Sequence, residues 1–194
     1  MGESRYPRGR TDPPLVDRHV VLVGMMGAGK TTVGRRLAPR LGLKFADADA
    51  EIEKAAGMSV SDLFAAHGEA SFRLGEAKVI ARLLDGPPLV LATGGGAVLD
   101  PETRALIKAR AVSVWLRADL DTIHRRASRR ATRPLLRTAD PRATLANLLE
   151  ARAAFYAEAD ITVDSSAKRQ EETVEEIAVA VLAHVAARRT EPAE

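Results

Sequence analysis

The residues best suited to chemistry form a glycine-rich segment close to the N-terminus. The run from Gly24 to Thr31, GMMGAGKT, matches the pattern G-x-x-x-x-G-K-[ST] in full, between a short apolar run and a helical segment. Glycines let successive backbone N–H groups turn toward phosphate oxygens, and a helix N-terminus adds partial positive charge. Lys30 can reach the β- and γ-phosphates, and the Thr31 hydroxyl can ligate Mg²⁺. The motif predicts a nucleotide phosphate site, with a plain strand-to-helix turn as the alternative, and leaves the phosphoryl acceptor open.

Two carboxylates follow the next predicted strand. Asp47 and Asp49 are two residues apart, and in extended backbone residues i and i+2 point to the same face. We expect both to face the phosphates, one holding Mg²⁺ through water and the other accepting a hydroxyl proton. A solvated acidic turn is the alternative interpretation.

Two further patterns suit the binding of an acceptor. In Phe72-Arg73-x-x-Glu76, the i, i+3 spacing on a helix lets Glu76 hold Arg73 in one orientation, although a weak surface ion pair has the same spacing. Gly94-Gly95-Gly96 follows a buried strand, the place where ligands collect in parallel α/β sheets. Because three glycines cost backbone entropy, we expect a ligand to approach this backbone closely.

Strands and helices alternate along the chain, which predicts a parallel sheet covered on both faces. The predicted strands are 19–23, 44–47, 89–93, 111–116 and one containing 161–163. The predicted helices are 31–41, most of 52–84 with interruptions near Gly57 and Gly68, 101–109 with Asp100 as N-cap, and a C-terminal helix. That last helix carries an apolar stripe at helical spacing, formed by Val174, Ile177, Ala178, Val181, Leu182 and Val185.

Composition narrows the class of protein. The chain has 194 residues, 46% hydrophobic and 28% charged, which suits one globular domain. It contains no cysteine, so disulfides, thiolate metal sites and cysteine nucleophiles are excluded. No apolar run approaches the roughly 18 residues of a membrane span, and the first 14 residues do not read as a secretory signal. We therefore expect a cytoplasmic protein.

Taken together, these patterns resemble the shikimate kinase family. They occur in the family's order over about residues 19–164: the phosphate loop, Phe45-x-Asp47-x-Asp49 followed by Ile52-Glu53, Phe72-Arg73-x-x-Glu76, Gly94-Gly95-Gly96, Arg133-Pro134-Leu135-Leu136, and Arg152 with Tyr156. The resemblance implies an α/β P-loop three-layer sandwich, with a five-stranded parallel sheet, helices on both faces and an Arg-rich lid. It implies transfer of the ATP γ-phosphoryl group, assisted by Mg²⁺, to the 3-hydroxyl of shikimate, in chorismate and aromatic amino acid biosynthesis.

The resemblance also assigns roles to residues of this sequence. It implies catalytic roles for Asp49, Lys30 and Arg133, and metal binding by Thr31 directly and by Asp47 through water. The implied ATP-binding residues are Met26, Gly27, Ala28, Gly29, Lys30, Thr31, Thr32, Arg126, Arg133 and Arg169. The implied shikimate-binding residues are Asp49, Phe64, Phe72, Arg73, Gly94, Gly95, Gly96 and Arg152. Arg169 is matched loosely, because residues 165–170 lack the proline that many members have there.

The expected organisation is a flexible basic leader over 1–16, one kinase domain over 17–189 with a lid at about 118–137, and a flexible tail over 190–194. A monomer acting on small molecules is expected, with no nucleic-acid or membrane partner. The basic pI of about 9.5 leaves a nucleic-acid-binding ATPase as an alternative, but the seven arginines between 125 and 142 have no interleaved aromatics.

Two other classes of P-loop protein compete with this interpretation. A gluconate or nucleoside monophosphate kinase would explain the phosphate loop and lid, but not Asp47, Asp49, Arg73 and Gly95 together. A GTPase switch usually carries an N-K-x-D segment, whereas Asn147, the only asparagine, stands in A-N-L-L.

Overall fold

Short runs of aliphatic and β-branched residues form the strands at the centre of the fold, as the sequence predicts. The computed structural model describes residues 15–128 and 138–190. Within them lie β1 (His19–Val23), β2 (Lys44–Asp47), β3 (Leu89–Ala92), β4 (Ala111–Arg117) and β5 (Ile161–Asp164). All neighbouring pairs are parallel, in the order β2-β3-β1-β4-β5. Every residue of β1 is buried, which explains its uninterrupted apolar run.

Seven helices of the described residues connect and cover these strands. They are α1 (Lys30–Arg40), α2 (Ala48–Ala56), α3 (Val60–Leu84), α4 (Pro101–Arg110), α5 (Leu120–Ala127), α6 (Pro141–Tyr156) and α7 (Gln170–Thr190), with a short 3₁₀ turn at Ala97–Leu99. Side-chain N-caps begin five of the helices, as aspartate and serine commonly do: Asp47, Ser59, Asp100, Asp119 and Asp140.

The helices lie on both faces of the sheet, so the predicted fold class is confirmed. Right-handed crossovers in this strand order place α1 on one face, where α7 packs against it, and α3 and α4 on the other. The core between the layers is mainly Val, Leu, Ile and Ala. In α7 the predicted stripe faces this core, because Val174, Ile177, Ala178, Val181 and Val185 are all buried.

Two details differ from the sequence predictions, and the predicted interruption at Gly68 is confirmed. Helix α2 begins at Ala48, four residues earlier than predicted, because the Asp47 side chain caps it. Gly68 does interrupt α3, with a non-helical φ of 75° and ψ of 170°. Val16, at the end of the predicted leader, is fully buried in the core, and the Leu15 N–H donates to Leu41 O at 3.2 Å.

Part of the predicted organisation falls on residues that are not described. The predicted lid begins with α5, while residues 129–137 lie outside the described residues, as do 1–14 and 191–194. None of the helices in the described ranges is both long and apolar enough to cross a membrane.

Candidate active site

A cavity of about 790 Å³ lies at the carboxyl ends of β1, β2 and β3. Ligands bind at this edge in open parallel sheets, because the strand-to-helix connections leave a crevice there. The cavity brings together nearly all of the site residues predicted from the sequence: Met26, Gly27, Ala28, Gly29, Lys30, Thr31, Thr32, Asp47, Asp49, Phe64, Phe72, Arg73, Gly94, Gly95, Gly96, Arg126 and Arg152.

The phosphate loop connects β1 to α1 and forms one end of the cavity. Gly27 has a φ of 83°, and a side chain there would come within 2.8 Å of Ile123 O, so both conformation and space require glycine. The Ala28 N–H donates to Met25 O at 3.2 Å, and the Val33 N–H to Gly29 O at 2.9 Å. These bonds hold the loop in a tight turn that leads directly into the N-terminus of α1, the kind of terminus that attracts anions.

Lys30 and Arg126 bring positive charge to this end. The Lys30 ammonium is largely buried and donates to Gly24 O at 2.6 Å and Met25 O at 3.0 Å. Arg126, from α5, donates to Ala28 O at 3.3 Å and to Ser165 O at 3.1 Å. Burial lowers the pKa of Arg126, and the neighbouring Arg125 acts in the same direction. A polyanion would relieve this concentration of positive charge.

Asp47 links the phosphate loop to α2. Its Oδ2 accepts a hydrogen bond from the Thr31 hydroxyl at 2.7 Å, while Oδ1 accepts from the N–H groups of Asp49 at 3.1 Å and Ala50 at 3.3 Å. Asp47 therefore ends β2 and caps α2, and Asp49 lies in the first helical turn. The prediction that both carboxylates face the cavity because they share an extended segment was wrong in its geometry, although both line the cavity.

Thr31 and Asp47 suit a magnesium ion. A hydroxyl and a carboxylate oxygen are hard donors, and Mg²⁺ usually takes one or two protein oxygens with phosphates and waters. Among the described residues, no group of three or more carboxylates and imidazoles is arranged to hold a metal without such additional ligands.

The opposite end of the cavity is built around Arg73 on α3. Its guanidinium contacts Glu76 Oε2 at 2.5 Å and Glu69 Oε1 at 3.0 Å, which confirms the contact predicted from the i, i+3 spacing. It also lies 5.3 Å from the centroid of the Phe72 ring, and that ring is 4.6 Å from the Phe64 ring. Glu76 is buried, so the pair is not the surface ion pair considered as the alternative.

Residues 94–96 pass directly over these charged groups. A side chain at Gly94 would overlap Glu76 Oε1, and one at Gly96 would overlap the Arg73 guanidinium. Because Gly94 and Gly96 have no side chains, the backbone can lie directly against Glu76 and Arg73. This close approach explains why the segment is made of glycines.

The charges at this end are incompletely satisfied. Burial raises the pKa of Glu76, and the nearby Asp49 acts in the same direction, while Arg73 and Arg152 oppose them. Glu76 Oε1 and Arg152 Nη1 are both buried and have no hydrogen-bond partner among the described residues. Arg152 is only 5% exposed, and a buried donor without a hydrogen-bond partner is costly. Arg152 Nη1 thus offers an unsatisfied buried donor to the carboxylate of a small acid.

One of the predicted residues that the structure describes, Arg169, does not line the cavity. Arg133 lies outside the described residues. The side chain of Arg169 is 81% exposed and pairs with Glu172 at 2.7 Å. Its neighbours Ser165, Lys168, Gln170 and Thr173 line the cavity instead. Sequence analysis missed these four, although their position after β5, at the ligand-binding edge of the sheet, was a usable signal.

Comparison with known proteins agrees with this geometry. A family model described as shikimate kinase matches residues 26–182. A shikimate kinase of Paramagnetospirillum magneticum is 62% identical over 159 residues, covering 82% of each chain. The crystallised shikimate kinase of Acinetobacter baumannii in complex with shikimate is 38% identical with a TM-score of 0.83, over 86% of this chain and 94% of that one. A gluconokinase of Sinorhizobium meliloti has a TM-score of 0.60 over 89% of this chain and 95% of that one, at 22% identity, which shows a shared fold alone.

Proposed function

Because the chain belongs to the shikimate kinase family, we propose that its 790 Å³ cavity is the active site. Family membership makes it a kinase that transfers a phosphoryl group to a hydroxyl of shikimate. We propose that the 3-hydroxyl is the acceptor and that ATP is the donor, giving shikimate 3-phosphate and ADP. The proposal extends to a role in chorismate and aromatic amino acid biosynthesis.

One observation carries the assignment of the site. A single cavity has a phosphate loop at one end and, at the other, two arginines beside a glycine segment, with Asp47 and Asp49 between them. The nucleotide phosphates fit the end formed by Lys30 and the N-terminus of α1. The carboxylate of shikimate fits Arg73, Arg152 and the Gly95 N–H, because planar guanidinium groups bind carboxylates through two parallel hydrogen bonds.

Asp49 is the proposed acceptor of the hydroxyl proton. As the hydroxyl oxygen bonds to the γ-phosphorus, the bond from that phosphorus to the β–γ bridging oxygen breaks, and the departing oxygen becomes part of ADP. The proton leaves for the Asp49 carboxylate, which lies at the start of α2 between the two ends. Lys30 stabilises the negative charge spread over the γ-phosphoryl oxygens.

Mg²⁺ is the proposed metal cofactor, held by Thr31 directly and by Asp47 through water. When bound, it neutralises phosphate charge and orients the β- and γ-phosphoryl oxygens. The distance of 2.7 Å from Thr31 Oγ1 to Asp47 Oδ2 supports the assignment of these two residues to one metal site.

Further assignments rest on the family resemblance. Arg133 is proposed to cover the phosphates as part of a lid, and Arg126 to stack on the adenine. Arg169 is retained as an ATP-binding candidate, although its neighbours Lys168 and Gln170 line the cavity. A monomer is the proposed oligomeric state. The cytoplasm, where ATP and Mg²⁺ are available, is the proposed location.

A coupled assay of ADP release tests the function. Shikimate, quinate, gluconate and nucleoside monophosphates are compared at equal concentration, with Asp49→Asn as the matched inactive control for contaminating kinases. Shikimate should support the fastest turnover, and the product should carry its phosphate on the 3-hydroxyl by NMR. Activity restricted to gluconate or to nucleotides would overturn the proposal.

A further inference from the structure

We propose that Tyr156 is a positioning residue for the carboxylate clamp, acting through the Gly95 backbone and the Arg152 guanidinium. The proposal rests on the proposed function of the cavity, since it assigns a role to a residue behind that site. Tyr156 does not line the cavity. It ends α6, one helical turn after Arg152, so the two side chains leave the helix on the same face.

The Tyr156 hydroxyl meets two segments of the active site. It donates a hydrogen bond to Gly95 O, and it lies 3.8 Å from the Sδ atom of Met25 in the phosphate loop. The residue is fully buried. Its ring stacks on the Trp115 ring, with 6.0 Å between centroids, so packing helps to hold the ring while the bond to Gly95 O sets the direction of the hydroxyl.

Residues 94–96 need such an anchor. Glycine backbone is conformationally permissive, so other contacts must fix the orientation of each peptide group. The Ala97 N–H bonds to Gly94 O at 3.3 Å and the Leu99 N–H to Gly96 O at 3.0 Å. Those two carbonyls are held by the local 3₁₀ turn. The middle carbonyl, that of Gly95, is held by Tyr156, which is distant in sequence.

Gly95 is closely packed, so a small movement of its backbone changes its distances to neighbouring groups of the site. A side chain at Gly95 would come within 3.2 Å of Met26 N and 3.7 Å of Arg152 Nη1. The Gly95 carbonyl lies in the peptide group shared with Gly96, and the Gly95 N–H in the one shared with Gly94, so the two are joined through the Gly95 Cα. A shift of the carbonyl that moves this Cα would therefore displace the Gly95 N–H and change its spacing from the guanidinium. The bond to Tyr156 limits that shift, and Arg152 Nη1, which has no hydrogen-bond partner among the described residues, remains available to the substrate carboxylate.

The Tyr156 hydroxyl keeps its proton and can donate a hydrogen bond to Gly95 O at all times. Burial raises the pKa of Tyr156, and the positive charge of Arg152 only partly offsets this effect. The phenol therefore stays protonated at neutral pH. It contributes a fixed donor to the Gly95 carbonyl and takes no part in proton transfer.

Tyr156→Phe tests the proposal, because it keeps the ring and removes only the hydroxyl. We expect the KM for shikimate to rise roughly 5- to 30-fold, as for the loss of one buried hydrogen bond. The kcat and the KM for ATP should change less than about twofold, since Tyr156 touches neither reacting atom. Preference for shikimate over its analogue with the carboxylate reduced to an alcohol should fall by a similar factor.

Trp115→Phe is the matched control, because it disturbs the same aromatic pair without touching Gly95. It should lower the Tm while leaving the KM for shikimate unchanged. If both variants raise that KM equally, Tyr156 has only a packing role. In a double-mutant cycle with Arg152→Ala, the combined rise in KM should be smaller than the product of the separate rises. A fully multiplicative result would contradict action through the clamp.

A second measurement needs no destabilising change. The chain has two tyrosines, Tyr6 and Tyr156, so protein labelled with 3-fluorotyrosine gives two fluorine signals, assigned with Tyr6→Phe. Shikimate should shift the Tyr156 signal more than the carboxylate-reduced analogue does, and equal or absent shifts would refute the proposal. Wild-type turnover of shikimate separates the two hypotheses: failure there rejects the proposed function, whereas normal turnover with an unaltered KM in Tyr156→Phe rejects this inference alone.

Discussion

The two ends of the cavity satisfy their polar groups in different ways. At the phosphate end, the Lys30 ammonium and the Thr31 hydroxyl already hydrogen-bond within the chain, to Gly24 O, Met25 O and Asp47. At the acceptor end, Glu76 Oε1 and Arg152 Nη1 are buried without a partner among the described residues. The polar groups at the phosphate end are thus already paired. At the acceptor end, a bound carboxylate would pair with Arg152 Nη1, whereas Glu76 Oε1 needs a donor such as a hydroxyl group.

This difference suggests a division between general and specific recognition. A loop held by its own backbone bonds binds any nucleotide phosphate, so it tells little about the acceptor. Buried charges with unmet hydrogen bonds discriminate strongly, because a ligand that cannot complete them leaves them unpaired. The comparison predicts that changes at the phosphate end abolish turnover generally, while changes at the acceptor end affect one substrate.

Lys30→Met should cause the largest effect, by removing the cation at the phosphate end. We expect kcat to fall by about 10³–10⁵-fold, the scale of other cations that stabilise the same transition-state charge. Turnover with every acceptor should be lost, and circular dichroism should show an intact fold. Near-normal turnover in a folded variant would contradict the assignment of this end.

Asp49→Asn tests the boundary between the two ends. It should lower kcat by about 10²–10⁴-fold, the usual range for general acid–base assistance. Asp47→Asn is the matched variant, and it should raise the Mg²⁺ concentration needed for half-maximal rate. Rescue of Asp49→Asn by excess Mg²⁺, without rescue of Asp47→Asn, would reverse the two assignments.

Arg152→Ala tests the acceptor end alone. Truncating one partner of a buried charged contact typically costs about 2–5 kcal/mol, so shikimate binding should weaken by that amount and ATP binding far less. Arg152→Lys should recover only part of the loss, because an ammonium cannot reproduce the planar two-point contact. Calorimetric titration with each ligand is the measurement, and equal shikimate affinity in Arg152→Ala and wild type would show that the clamp is misplaced.

Glu76→Gln should give the smallest effect, visible in the pH dependence of stability. Burial raises the pKa of Glu76 in the folded state, so the folded chain binds more protons than the unfolded chain and loses stability as pH rises. This loss begins near the ordinary glutamate value of about 4.3 and continues upward to the raised pKa. Urea unfolding across this range should show a less steep decline for Glu76→Gln than for wild type, and parallel curves would contradict the raised pKa.

Sequence could predict the phosphate end almost completely because that end is local. Eight consecutive residues and the strand before them determine its shape, so the motif sufficed for residues 24–31. The acceptor end is formed by residues of α2, α3, the glycine segment and α6. These elements are far apart in the sequence, so no local pattern predicts that they lie close together. Arg73 and Arg152 were brought together only by family resemblance, which supplies tertiary information indirectly.

The remaining errors also have physical causes. Helix α2 was predicted to begin late because its first turn, ADAE, has little apolar periodicity and starts through the Asp47 cap. The contacts after β5 were missed because Ser165, Lys168 and Gln170 reach the cavity from a loop and the start of α7, where exposure does not follow a simple period. Tyr156 was recognised only as part of a motif, since an anchor behind a site has no distinctive residue type.

The Asp47 carboxylate contacts both the phosphate loop and the first turn of α2. A change in nucleotide binding at the phosphate loop can therefore be detected at the start of α2. One oxygen bonds the Thr31 hydroxyl and the other holds the N–H groups of Asp49 and Ala50. Any movement of Asp47 toward a ligand must either keep those amides capped or release them to solvent. Amide hydrogen exchange at these two positions would therefore reveal, residue by residue, whether loading the donor nucleotide loosens or tightens the turn that carries Asp49.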